Sequence, residues 1–188
     1  MRYVNIVASA LDISVSEREI KCKKPFFNLS SNKVKERKPS ILIILGASFD
    51  SKIYPVDKYA QIVNSVQANF VALWYSKKEF EMAERLQSLS GSLSITKCKN
   101  FSELKQLVIN SDLVIGGDTG PTHIAWALNI PSITIFGSTP LERNCYITDK
   151  NLAISSGNNV NAYKINKQDF SINLIKPELI LSLIKGLL

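Results

Sequence analysis

The segment GGDTGPTHIAWALNIPSITIFGSTP, residues 116–140, concentrates groups that could do chemistry. It contains the chain's single histidine, His123, with Asp118, Thr119, Gly120, Pro121 and Thr122 immediately before it. Pro121 suits the first turn of a helix, and Gly120 reads as freeing the backbone for the turn into it. A helix starting there would leave the amides of Gly120, Thr122 and His123 without intrahelical partners, with the positive end of the helix dipole behind them. Such a helix start suits an anion, a phosphate above all. Asp118 cannot attract a phosphate, so hydroxyls or backbone amides are its expected partners. The dipole disfavours an imidazolium in a first turn, so His123 is expected as a neutral, hydrogen-bonding imidazole.

The same residues would also make an ordinary helix cap, and two further loops are needed to turn the cap into a site. GASFDSKIYP, residues 46–55, offers Gly46 for a close backbone approach, the Ser48 hydroxyl and the Lys52 cation. YSKKE, residues 75–79, puts Glu79 at the start of a second helical pattern. Alone, Lys52 reads as a solvated lysine and Glu79 as a favourable first-turn acid; their convergence on one edge of a sheet would make them functional. Neither GxGxxG after the first strand nor GxxxxGK[ST] occurs, which counts against a dinucleotide oxidoreductase and a P-loop enzyme. One histidine and three scattered cysteines, Cys22, Cys98 and Cys145, give no support to a Ser-His-Asp or Cys-His triad, a disulfide framework or a zinc site.

The elements that must position these loops follow a repeating pattern. ILIIL (41–45), FVALW (70–74), LVIGG (113–117) and SITIF (132–136) are short apolar runs without polar alternation, as for strands buried on both faces of a parallel sheet. SLSITKC (92–98) and NLAIS (151–155) are weaker strand patterns. Between them lie helical patterns. Pro55 opens one with Tyr59, Ile62, Val63 and Val66 on one face, and residues 77–91 carry Phe80, Ala83, Leu86 and Leu89 in phase. Residues 102–111, 121–129 and 177–188 supply three more. Strand and helix alternating at this spacing predict an α/β fold, a doubly wound, Rossmann-like parallel sheet, whose ligands sit beyond the carboxyl ends of the strands. Trp74 and Trp126 read as core rather than as base-stacking platforms.

Residues 1–40 do not join the pattern. YVNIVASAL reads as a short helix, and residues 21–38, with seven Lys or Arg against one Glu, as a basic connector that holds nearly all of the +7 net charge. The expected division is therefore 1–40, helix and connector, and 41–188, the ligand-binding domain. Charge confined to a connector argues against a nucleic-acid partner. The sharper alternative to a solvated linker is attraction to an anionic membrane surface. No signal peptide or apolar span of about 18 residues is present, and the cysteine usage suits a reducing cytoplasm.

The segment 116–140 resembles the signature of the ADP-heptose:lipopolysaccharide heptosyltransferases, D-[ST]-G-x-x-H opening a helix, then A-x-A-L, Pro, an apolar strand and F-G-x-T. GASFDSKIYP is similar to the family's loop of Ser or Thr, Lys, an aromatic and Pro, with Tyr54 where Trp is usual, and LWYSKKEFEMAERL to its strand-to-helix segment. The resemblance covers roughly residues 40–188. It implies one half of a GT-B glycosyltransferase, the C-terminal donor domain, acting by inversion without a metal or other cofactor. It further implies that Ser48 and Lys52 hold the donor pyrophosphate, that Glu79 contacts the ribose, and that Asp118, Thr119, Gly120, Pro121, Thr122 and His123 line the phosphates and the heptose. ADP-heptose is the implied donor and the Kdo-lipid A inner core of lipopolysaccharide the acceptor. The family's catalytic base, an Asp of its N-terminal domain, has no counterpart in this sequence, so the chain is expected to bind donor and turn over little, in the cytoplasm or peripherally at the cytoplasmic face of the inner membrane. TPLER after Gly137, with Asn144 close behind, is more like the branch that adds the first heptose. The alternatives are a GT-B transferase or epimerase using a UDP-sugar, and a non-catalytic nucleotide-binding module.

Overall fold

The computed structural model describes residues 2–26 and 38–188. The chain opens with helix α1 (Arg2–Ala10), as its apolar spacing suggests, and a short helix α2 (Glu17–Lys21) that the sequence reading did not anticipate. Ser16 and Glu19 form a capping box on α2, each side chain serving the other's backbone amide, so a five-residue helix persists. Residues 27–37, most of the basic connector, lie outside the described residues.

From Ser40 onward strand and helix alternate: β1 (Ser40–Ile44), α3 (Val56–Ser65), β2 (Asn69–Trp74), α4 (Lys77–Leu89), β3 (Leu93–Lys97), α5 (Phe101–Asn110), β4 (Leu113–Gly117), α6 (Gly120–Ala127), β5 (Ser132–Phe136), α7 (Leu141–Asn144), β6 (Asn151–Ser155) and α8 (Pro177–Leu187). The six strands form one parallel sheet in the order β3-β2-β1-β4-β5-β6. This is the doubly wound, Rossmann-like arrangement, and the strand order reverses between β1 and β4, the point at which such sheets bind ligands.

Alternation along β1 builds both layers. Ile41, Ile43 and Leu45 enter one core with Tyr59, Ile62 and Val63 of α3, Ala83 and Leu86 of α4 and Ile180 and Ile184 of α8. Leu42 and Ile44 enter the other with Val108 and Ile109 of α5 and Ala125 of α6. Two helical details differ from the sequence pattern. Pro55 is the N-cap of α3 rather than its first residue, and α3 stops at Ser65, so Val66 packs on the core from extended backbone. Leu89, in phase with the buried face of α4, is exposed at the last residue of that helix.

The segment before the sheet is anchored to the C-terminal end of α6. The Phe26 amide donates to the Ala127 carbonyl at 3.0 Å, and Lys23 Nζ donates to the Trp126 carbonyl at 2.6 Å and to Asn129 Oδ1 at 2.5 Å. A cation there completes the carbonyls that a helix end leaves open. Burial pulls the Lys23 ammonium down from its usual range. Trp126 stacks on Tyr146 with 5.5 Å between ring centroids, and Trp74 packs against Phe80 at 4.7 Å, so both tryptophans are packing residues.

Candidate functional site

The carboxyl ends of β1 and β4 carry two groups of polar residues, one on each side of Thr119. The first is a charged cluster around Asp118, which directly follows β4 and is 4 % exposed. Its Oδ1 lies 2.8 Å from His123 Nε2, and its Oδ2 lies 3.2 Å from Lys52 Nζ and accepts from Asn144 Nδ2 at 2.9 Å. A carboxylate only accepts, so His123 Nε2 carries the hydrogen and points it at Asp118 rather than at open space. Burial pushes the Asp118 carboxyl upward, but hydrogen bonds led by that from His123, with the Lys52 charge, outweigh it and hold the group well below the usual carboxylate range. The partners within 3.2 Å are thus an imidazole, a cation and a side-chain amide, and the Thr139 hydroxyl also faces the carboxylate, so the hydroxyl expected from the sequence is joined by groups that it did not indicate.

Lys52 reaches this cluster from a 3-10 turn, Asp50–Lys52, that the sequence did not reveal. Two features hold the turn against the sheet. Ser51 is fully buried, its Oγ 2.9 Å from Ser138 Oγ beyond β5. Gly117 lets the turn approach, since a Cβ there would lie 2.4 Å from the Lys52 carbonyl oxygen. At Gly116 a Cβ would lie 2.4 Å from Thr122 Oγ1, so Thr122 is packed side chain inward, and the whole residue is buried, its amide included, contrary to the expectation that it faces a ligand.

The start of α6 differs from the expectation in detail. The His123 amide is consumed by the Thr119 carbonyl at 3.2 Å, and Gly120 has no positive φ, so neither backbone freedom nor that amide is its contribution. Thr119 is the N-cap yet makes no side-chain cap bond, whereas Ser76 and Asn100 cap α4 and α5. The Gly120 and Thr122 amides accordingly make no hydrogen bond among the described residues, and a Cβ at Gly120 would meet nothing within 4 Å. An open, unpartnered helix start beside a lysine is a place where an anion gains both amide hydrogen bonds and charge.

The second group lines a cleft of about 590 Å³ that includes Ser48, Glu79, Thr119 and Pro121 of the sequence-derived set. Glu79 is first a capping residue: its Oε2 accepts from the Tyr75 amide at 2.6 Å and the Ser76 amide at 3.3 Å. Its Oε1 fills the space over Gly46, where a Cβ would lie 2.0 Å away, so Gly46 makes room for Glu79 and not for an approaching ligand. Leu73, Phe101 and Leu104 give the cleft an apolar wall, with Lys99 and Asn100 at its rim. Those residues follow β3, whose weak strand pattern kept its loop out of the sequence-derived site although it shares the same sheet edge. Asn144 was legible only as a branch marker, because nothing in a sequence indicates that α7 folds back onto Asp118. The size and lining of the cleft suit a flat base and sugar, and the adjoining helix start suits phosphates.

The chain matches glycosyltransferase family 9 (heptosyltransferase) over residues 1–174. It belongs to that family. It is 36 % identical over 208 residues to lipopolysaccharide heptosyltransferase 1 of Campylobacter coli, covering 100 % of this chain and 60 % of that protein. It is 30 % identical over 122 residues to lipooligosaccharide heptosyltransferase 2 of Haemophilus influenzae, covering 60 % of this chain and 35 % of that protein. The chain therefore spans at most 60 % of the length of these relatives. The E. coli heptosyltransferase WaaC with ADP superposes with a TM-score of 0.70 at 14 % identity, over 98 % of this chain and 55 % of that one. E. coli ADP-heptose LPS heptosyltransferase II gives 0.66 at 20 % identity, over 93 % and 52 %. The family 9 chain thus has the fold of about half of each enzyme, the Rossmann-like half of a GT-B pair. Among the described residues no helix is long and apolar enough to cross a membrane.

Proposed function

We propose that this chain is the donor-binding half of an inverting heptosyltransferase that moves heptose from ADP-heptose to the Kdo of the lipopolysaccharide inner core, in the cytoplasm. The observation that carries the reading is Lys52, held by Asp118 at the uncapped start of α6 beside the cleft at the β1–β4 switch point. The nucleoside occupies the cleft, with Glu79 Oε1 toward the ribose and Ser48 toward the pyrophosphate. The diphosphate meets the Gly120 amide and Lys52. Departure of ADP leaves negative charge on the diphosphate, and a lysine with a preset helix-start amide stabilises it as it develops. Asp118, repelled by phosphate, instead orients Lys52 and His123, leaving His123 Nδ1 and the edge of the carboxylate for heptose hydroxyls. In this reading the lysine and the Gly120 amide carry the leaving-group charge without a metal, and the acceptor is deprotonated by a base outside this chain.

Calorimetry with ADP-heptose, ADP and UDP tests the donor, with Lys52→Ala as the site control. ADP-heptose and ADP should bind, UDP much less, chelator should leave binding unchanged, and Lys52→Ala should weaken ADP by about tenfold or more, the scale of one charge-assisted contact. A preference for UDP would overturn the donor assignment, and unchanged ADP affinity in Lys52→Ala would remove Lys52 from the diphosphate site.

A further inference from the structure

Asp118 has two oxygens, three side-chain partners within 3.2 Å and the Thr139 hydroxyl facing it, and of these Asn144 has no place in the chemistry so far described. Asn144 ends α7, a four-residue helix that follows β5 and starts at the N-cap Pro140. Its amide is held by the Pro140 carbonyl at 3.2 Å, which fixes the side chain's origin, and Nδ2 donates to Asp118 Oδ2 at 2.9 Å. The same oxygen faces Lys52 Nζ at 3.2 Å, while Oδ1 belongs to His123. We propose that Asn144 is a positioning residue for donor binding: it fixes the rotation of the Asp118 carboxylate and shares Oδ2 with Lys52, so that the lysine is steered toward the diphosphate without being sequestered. The proposal rests on the assignment of the diphosphate to the Lys52 site.

Charge and satisfaction together explain why an amide stands here. A carboxylate this buried needs its lone pairs filled, and an unfilled one is costly. A second cation would fill Oδ2 but compete with Lys52 for Asp118. A second carboxylate would repel Asp118 and draw Lys52 away from an incoming diphosphate. Asn fills the lone pair and leaves the charge of the cluster unaltered. Without Asn144 the carboxylate is free to turn about its last bond, and either Lys52 closes on it or His123 loses its acceptor.

The charged and titratable groups facing Asp118 are Lys52 from the 3-10 turn, His123 from α6 and Cys145 just after α7, whose thiol burial pushes up to about 11. None of the substitutions below alters them. The experiment is a double-mutant cycle on ADP affinity, with Asn144→Ala, Asp118→Ala and both together, folding being checked by near-UV circular dichroism. Asn144→Ala should weaken ADP by about tenfold, and by less than twofold when Asp118 is already alanine. A second variant, Asn144→Asp, should weaken ADP at neutral pH and recover relative to wild type as the pH falls and the introduced carboxyl protonates; Asn144→Gln should restore part of the affinity lost in Asn144→Ala. Equal losses with and without Asp118, or an Asn144→Asp deficit that ignores pH, would overturn the proposal while leaving the Lys52→Ala result to judge the site itself. A full-length chain that binds no ADP would remove both.

Discussion

Replacing Gly117 by alanine tests the fold and the site in one step. The new methyl group would lie 2.4 Å from the Lys52 carbonyl oxygen, and ordinary contact begins at 3.4 Å, so the backbone of the lysine turn must retreat by about 1 Å. The obstacle is main chain, pinned on its far side by the buried Ser51–Ser138 hydrogen bond, so a rotamer change cannot relieve it. Overpacking of this kind costs about 1–3 kcal/mol. Because the displaced residue carries the cation of the cluster, ADP affinity should fall too, by roughly five- to tenfold. Gly120→Ala is the matched control: the added methyl meets nothing within 4 Å and φ is not positive, so stability should be unchanged or slightly raised. It nevertheless intrudes where the diphosphate is placed, and should weaken ADP alone. Urea unfolding midpoints at constant slope, with calorimetric titration of ADP, measure both quantities. A Gly117→Ala chain with wild-type midpoint and affinity would refute the reasoning, as would a Gly120→Ala chain that loses stability.

Two more outcomes follow from buried groups. Tyr59 Oη is fully buried and makes no hydrogen bond among the described residues, so Tyr59→Phe should be neutral or stabilising by up to about 1 kcal/mol, read from the same urea curves; a loss of more than that would mean the hydroxyl has a partner. The depressed Asp118 carboxyl contributes stability that is complete above its unfolded value near 4 and is lost as pH falls through the lower folded value. Thermal melts from pH 7 to 3 should therefore show the advantage of wild type over Asp118→Asn narrowing only below about pH 4; a constant gap would show that the carboxyl is not stabilised by its neighbours.

The legibility of the fold depended on burial. β1, β4 and β5 sit inside the sheet, are covered on both faces, and read as unbroken apolar runs. β3 and β6 are its edges and are only partly buried, which is why SLSITKC and NLAIS gave weaker signals. α2, α7 and the Asp50–Lys52 turn are too short for periodicity to register and are held by caps and tertiary contacts.

The sequence by itself determined the strand and helix order, the Rossmann-like winding, the family resemblance and the residues at the carboxyl edge, because these depend on local pattern and short motifs. Only the tertiary structure decided how they meet. It turned His123 onto Asp118, paired Lys52 with a carboxylate 66 positions away, brought Asn144 to the same oxygen and set Glu79 over Gly46. The physical reason is that hydrogen bonds and close approaches depend on distances of tenths of an ångström between elements remote in the chain. Gly120 sharpens the point: its type suggested a special backbone angle, and the structure gives it an ordinary one with open space above, room for a ligand rather than a requirement of the turn.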